Sequence, residues 1–160
     1  MIIVLFGQPH SGKTTIAEEV IKDLPNTELI DGDRFRAVFK NTDYSKEGRE
    51  KNIQKAFDIA KYLDKCGNDV VISLVSPYKE LREEFKSQCK VQEIYCHTKK
   101  IRGREDKFAL DYEPPTEYFI DLEGSANSYI SLVFAYSLLD LIIILLKYLS
   151  SISSSKIISS

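Results

Sequence analysis

The residues Gly7 to Thr15 read GQPHSGKTT and fill every fixed position of the phosphate-binding pattern G-x-x-x-x-G-K-[ST], with Gly7, Gly12, Lys13 and Thr14 in those places. The spacing has a chemical reason. Gly7 and Gly12 let the backbone curl until successive N–H groups point into one anion-sized nest. Lys13 then reaches the β- and γ-phosphates of a nucleotide, and the Thr14 hydroxyl is placed for Mg²⁺. Gln8, Pro9, His10, Ser11 and Thr15 complete a loop expected to wrap the phosphates. A nucleotide is the expected ligand.

Further along, two carboxylates flank a glycine in Asp31-Gly32-Asp33. One suits a water on Mg²⁺ and the other suits a proton leaving an attacking hydroxyl, whereas an isolated Asp-Gly pair would be an ordinary turn. Arg36 lies one helical turn beyond Asp33. Arg49 and Asn52 repeat that spacing, a guanidinium and an amide fit to grip an anionic group and add a polar contact. Taken alone, Arg49 reads as a solvated surface charge. Tyr44 offers an aromatic face for a base or ring. Arg102 and Arg104 lie in a polar stretch that could be a lid neutralising a transferred phosphoryl group, or an exposed basic loop. His10 and His97 read as structural, and Cys66, Cys89 and Cys96 as core or surface filler.

The elements that must hold these groups alternate between two periods. Met1 to Phe6 (MIIVLF) is a buried-strand run placed directly before the loop. Ile16, Ala17, Val20, Ile21 and Leu24 recur at helical spacing until Pro25. Glu28 to Ile30 forms a short strand. Lys46 to Cys66 is a long helix with Ile53, Ala56, Phe57, Ala60 and Leu63 on one face and Gly67 as its stop. Val70 to Val75 is the strongest strand signal. A charged helix over Tyr78 to Ser87, a strand over Val91 to Cys96, a polar segment from Lys99 to Pro115 and a fifth strand over Tyr118 to Leu122 complete the series. Strands alternating with helices imply an α/β fold, a parallel sheet with helices on both faces. Ligands of such sheets lie beyond the carboxyl ends of the strands, where the residues above fall.

The chain has 160 residues, 43% apolar content and a formal charge of −2. That is enough for one well-packed domain, and it argues against nucleic-acid binding as the main task, since no basic block forms a phosphate-tracking stripe. Three cysteines without metal-ligand spacing read as reduced cytosolic thiols, and with no basic leader a cytoplasmic location is expected. Ile130 to Leu146 is almost continuously apolar apart from Asp140, and Ser150 to Ser160 is a serine-rich tail. A closing helix, a membrane anchor and an aberrant coding end all fit that segment. Membrane association through 130–146 is not favoured, because an Asp at the bilayer centre costs roughly 2.5–3.5 kcal/mol.

At this point the chain resembles the adenylylsulfate (APS) kinase family within the P-loop kinases. The resemblance covers about Met1 to Leu122 and rests on ordered motifs: GQPHSGKTT, IDGDRFR (Ile30–Arg36), DYSKEGREKNIQKAFDIAKYL (Asp43–Leu63), SLVSPYKELREEF (Ser73–Phe85), EIYCHT (Glu93–Thr98) and DYEPP (Asp111–Pro115). It implies a three-layer fold with a five-stranded parallel sheet, and transfer of the ATP γ-phosphate to the 3′-hydroxyl of APS with Mg²⁺ as cofactor. It implies that Gly7 to Thr15 hold ATP and that Asp33 sits by the 3′-hydroxyl. Arg36, Arg49, Asn52, Val75 and Ser76 would hold APS, and Tyr44 and Phe108 would clamp its adenine. Asp33 and Lys13 are then the expected catalytic residues. Thr14 is the expected Mg²⁺ ligand, and Asp31 lies beside the substrate, reaching the metal through water. The segment from His97 to Asp111 is shorter than the family's lid, and only Lys107-Phe108 resembles its K-x-F-T-G core. The expected organisation is a kinase domain over 1–122 and an atypical apolar helix with a serine tail over 123–160. A homodimer is left open.

Overall fold

The computed structural model describes residues 1–22, 24, 26–98, 107–116 and 119–123, within a compact unit that spans Met1–Gly124. The lid candidates Arg102 and Arg104 and the apolar run 130–146 lie outside the described residues. Among those described, no helix is long and apolar enough to cross a membrane.

The elements are β1 (Ile2–Phe6), α1 (Lys13–Lys22), β2 (Thr27–Asp31), α2 (Gly32–Val38), α3 (Lys46–Lys65), β3 (Asp69–Leu74), α4 (Lys79–Gln88), β4 (Val91–His97) and β5 (Phe119–Glu123). All strand pairs are parallel, in the order β2-β3-β1-β4-β5. The fold is α/β. The first four strands form the body of the sheet, and Phe119–Glu123 pairs with β4 at its edge.

β1 is apolar throughout because it is paired on both sides and covered on both faces, and all its residues are buried. Side chains alternate across a strand. Ile2, Val4 and Phe6 therefore enter one cluster with Val70, Ile72, Leu74, Ile53, Ala56, Phe57 and Phe85. Ile3, Leu5 and Val71 are equally buried and point to the opposite face, where α1 packs Ile16, Ala17 and Val20.

The boundaries follow local chemistry. Ser45 caps α3 by accepting from the Gly48 N–H at 3.2 Å, and Gly67 takes φ +89° just past the Cys66 C-cap. The Asp31-Gly32-Asp33 segment is not a free turn. Asp31 ends β2 and caps α2, its Oδ1 accepting from Arg34 N at 3.1 Å, while Gly32 and Asp33 already belong to the helix.

Phe57 of α3 stacks on Phe85 of α4 with ring centroids 4.0 Å apart, and both are almost fully buried. Phe57→Ala is expected to cost about 3–5 kcal/mol in urea melts. Tyr62→Ala on the exposed side of the same helix should stay within about 0.5 kcal/mol.

Candidate functional site

β1, β2 and β3 all end on one edge of the sheet, and the cleft opens there. The loop after β1 turns away at Gly7, which has φ +149° and donates its N–H to Val75 O at 3.3 Å. A Cβ at Gly7 would collide with the Cys96 carbonyl oxygen on β4, so only glycine lets the loop leave between its two neighbouring strands. Gly12 at φ +91° and His10 at φ +62° complete the curl, and Ile16 N bonds Gly12 O at 3.0 Å, running the loop directly into α1. The loop therefore sits at a helix N-terminus, the arrangement that attracts phosphate.

Lys13 is buried, its Nζ donating to Gln8 O at 2.7 Å and to Ser11 Oγ at 3.2 Å. Burial pulls its pKa down to about 8, and Cys96, Asp33 and Asp31 only partly offset that. Thr14 Oγ1 donates to Asp31 Oδ2 at 2.7 Å and lies 3.3 Å from Ser73 Oγ. Both Asp31 oxygens are thereby engaged, one by the α2 cap and one by Thr14.

A cavity of about 370 Å³ runs from this loop towards α2 and α3. Its walls bring together Pro9, His10, Gly12, Lys13, Thr14, Thr15, Asp31, Asp33, Arg36, Tyr44, Arg49, Asn52, Val75 and Ser76, all expected site residues. Gly7, Gln8 and Ser11 belong to the loop but do not line the cavity. Four cations, Lys13, Arg36, Arg49 and Lys107, face two carboxylates, Asp31 and Asp33, which favours a polyanionic ligand.

The second half of the cavity depends on a short loop folded over the start of α3. Gly48 permits this fold, since a Cβ there would run into the Asp43 side chain. Asp43 Oδ1 accepts from Ser45 N at 2.8 Å, and Arg36 Nη1 reaches Asp43 O at 2.8 Å. Arg49 Nε donates to Tyr44 O at 2.9 Å and Nη2 to Lys107 O at 3.1 Å. Burial lowers the Arg36 pKa and the nearby Arg49 adds to that. The Tyr44 ring carries Arg36 Cζ at 4.4 Å, Arg49 Cζ at 5.6 Å and Lys107 Nζ at 5.5 Å from its centroid.

Two buried polar atoms in this wall, Asn52 Oδ1 and Ser76 Oγ, have no hydrogen-bond partner among the described residues. Ser76 also holds φ +39°, costly for a residue with a side chain. Arg82, 2% exposed, supports it from beneath by donating to Ser76 O at 2.7 Å and Glu113 O at 2.7 Å.

Phe108, expected across from Tyr44, does not line the cavity; its neighbour Lys107 does. The backbone of 107–109 is tied down on both sides, by Arg49 at Lys107 O and by Gln8 at Ala109, and this decides which side chains enter the cleft. Lys107, Ser73 and Arg82 were not singled out from sequence as site residues. Ser73 lies in the apolar VVISLV run, and its polarity was the only available signal. Arg82 looks like any charge on a polar helix.

Lys13 shows the conflict between binding and stability. The folded chain holds its proton less tightly than the unfolded chain, so Lys13 lowers stability at pH 7. That cost fades as pH rises from about 8 towards 10.5. Lys13→Met is expected to raise stability by about 1–3 kcal/mol near neutrality and by much less near pH 10, while abolishing nucleotide binding. Urea melts at both pH values, with equilibrium nucleotide titrations, check both parts.

A family model described as adenylylsulphate kinase matches residues 1–110. A probable adenylyl-sulfate kinase of Pyrococcus abyssi is 35% identical over 115 residues, covering 68% of this chain and 66% of that protein. The adenylyl-sulfate kinase of Microcystis aeruginosa is 29% identical over 152 residues, covering 78% of this chain and 84% of that one. The structure of the Mycobacterium tuberculosis APS kinase in complex with AMPPNP and APS aligns with a TM-score of 0.70 at 18% identity, covering 87% and 96% of the two chains, and shows the shared fold. Every residue lining the cavity falls inside the stretch that the family model matches, and the chain belongs to the adenylylsulphate kinase family.

Proposed function

We propose that this chain transfers the γ-phosphate of ATP to the 3′-hydroxyl of adenosine 5′-phosphosulfate. The observation that carries the reading is the single cavity wall joining a phosphate loop to Arg36, Arg49 and Asn52. In it the loop from Gly7 to Thr15 holds the ATP phosphates, and Lys13 gives up its bonds to Gln8 O and Ser11 Oγ to meet the β/γ-phosphates. Those phosphates return the negative charge that burial denies the ammonium.

The oxygens of Thr14, Asp31 and Ser73 converge, a hard-donor set that fits Mg²⁺. Thr14 would hold the ion directly, with Asp31 behind it. Bound there, Mg²⁺ neutralises charge on the transferring phosphoryl group. Among the described residues no cluster of three or more His, Cys, Asp or Glu could hold a metal, so in this reading the nucleotide's phosphates supply further ligands.

Arg36 and Arg49 grip the anionic end of APS, the orphaned Asn52 Oδ1 and Ser76 Oγ find partners on it, and Val75 adds contact. Tyr44 supplies a flat face for its adenine. Asp33 is exposed on the first turn of α2. Unlike Asp31 it does not cap the helix, and it takes the hydroxyl proton late in the transfer. Three free cysteines support a reducing, cytoplasmic setting, and in this reading the kinase unit comprises 1–122.

Asp33→Asn keeps the shape but removes the base, so kcat should fall by about 10²–10⁴ with little change in ATP affinity. Asp31→Asn should instead raise the Mg²⁺ concentration needed for activity, because a carboxylate behind the ion is lost, and melt earlier, because both its oxygens are engaged by the fold. Steady-state kinetics on the pair check this, and a mild Asp33 effect beside a severe Asp31 effect would exchange the roles.

Arg49→Lys cannot bond Tyr44 O and Lys107 O from one planar fork. Loss of a charged hydrogen bond costs about 1.5–3 kcal/mol, so the APS KM should rise by about 10–100-fold with the ATP KM nearly constant. Wild-type protein with Mg-ATP that makes no 3′-phosphorylated product from APS would overturn the acceptor assignment.

A further inference from the structure

Gln8 occupies a variable position of the phosphate loop, yet its side chain does not face the cavity. Its amide instead meets a backbone 101 residues away. Nε2 donates to Ala109 O at 2.8 Å, and Oε1 accepts from Ala109 N at 3.1 Å. This double bond pattern fixes the amide orientation, since a flipped amide would set donor against donor and acceptor against acceptor. Ala109 is 3% exposed, so the contact is shielded from competing water.

The other end of Gln8 touches the phosphate machinery. Its carbonyl oxygen is the nearest partner of the Lys13 ammonium, at 2.7 Å. One residue thus contacts the group that must move onto a nucleotide and the segment that carries Lys107. Arg49 holds that segment once more, at Lys107 O, and Lys107 Nζ stands 5.5 Å from the Tyr44 ring centroid. Removing the Gln8 bonds leaves Lys107 anchored by Arg49 alone among these contacts.

We propose that Gln8 is a positioning residue that couples the phosphate loop to the Lys107–Ala109 segment, so that a bound nucleotide sets the place of Lys107 in the acceptor half of the cleft. The coupling has a physical origin. Phosphates that take the Lys13 ammonium release the Gln8 peptide from it, and the side chain carries that adjustment to Ala109. Only the identity of the acceptor rests on the proposed reaction.

Two measurements test the coupling. Hydrogen exchange on a peptide covering 107–110 is followed in the full chain with and without Mg-AMPPNP. Nucleotide should slow exchange there in the wild type and leave it unchanged in Gln8→Leu. Ala109→Pro deletes the N–H from the other side of the contact and keeps Ala109 O as an acceptor, so it should lower kcat/KM for APS in the same direction as Gln8→Leu and add little in the Gln8→Leu background.

Kinetics with ATP and APS then form a double-mutant cycle. Loss of two ordinary hydrogen bonds suggests that Gln8→Leu lowers kcat/KM for APS about tenfold, with a change under about threefold in ATP KM. Lys107→Met should cost about as much alone and add little in the Gln8→Leu background. Equal nucleotide-dependent slowing in both proteins, no slowing in the wild type, or multiplying effects in the cycle would overturn the proposal. A wild type inactive on APS would count against the reaction alone, because the exchange response is read with nucleotide only.

Discussion

The close approach of Gly7 to the Cys96 carbonyl is the constraint from which the site follows. β1 is the central strand, bonded to β3 and β4 and buried on both faces, so its chain can leave only by a steep turn at its carboxyl end. A residue without Cβ makes that turn possible. Once the turn is made, the following N–H groups curl together and α1 begins at Lys13. Thr14 comes to rest against Asp31 at the end of β2, the strand at the far side of β3. Moving Gly7 would displace the nest, the lysine and the carboxylate together.

Several features of the cleft cost stability and are compensated only in part among the described residues. Lys13 is buried with its proton loosened, Ser76 is held at a positive φ, and Asn52 Oδ1 and Ser76 Oγ are orphaned. Such costs gather where a ligand supplies the missing partners, and they persist because the surroundings over-determine the geometry. Here the surroundings include a buried charged group beneath the floor. Arg82 bonds the carbonyls of Ser76 and Glu113, stands 4.7 Å from the Phe6 ring centroid and lies 3.8 Å from Glu93. Lys86 completes the group by pairing with Glu93 at 2.9 Å. Replacing one partner would leave an unpaired buried charge, so this network holds the β3 exit loop in one place.

The two halves of the cleft are held by different physics. The half at the Gly7–Thr15 loop is built from backbone turns and a helix terminus, whose dipoles need no side-chain ordering. The half towards α2 and α3 is built from long cationic side chains, which lose rotamer freedom when they are fixed. Backbone carbonyls at Asn41, Asp43, Tyr44 and Lys107 take up their donors, and the Tyr44 ring gathers three cations around one face-forming residue. These ties order Arg36 and Arg49 within the protein itself, which lowers the entropy lost when an anion is bound.

The sequence by itself determined the phosphate loop, the alternation of strands and helices and the order of the family motifs, because each depends on short-range rules: glycine at a fixed spacing, periods of two and 3.6, and local caps. The Gly67 stop and the one-turn spacing of Arg36 beyond Asp33 belong to that class. Tertiary structure alone decided that Asp31 is a capping residue bound to Thr14 and Asp33 the exposed carboxylate, since both read the same in a DGD triplet. It also decided that Lys107 enters the cleft where Phe108 was expected, through hydrogen bonds from Gln8 and Arg49 that bring together residues 101 and 58 positions apart. Ser73 and Arg82 were hidden for the same reason. A hydroxyl inside an apolar strand and an arginine on a charged helix gain a role only from what packs against them, and no local pattern encodes that packing.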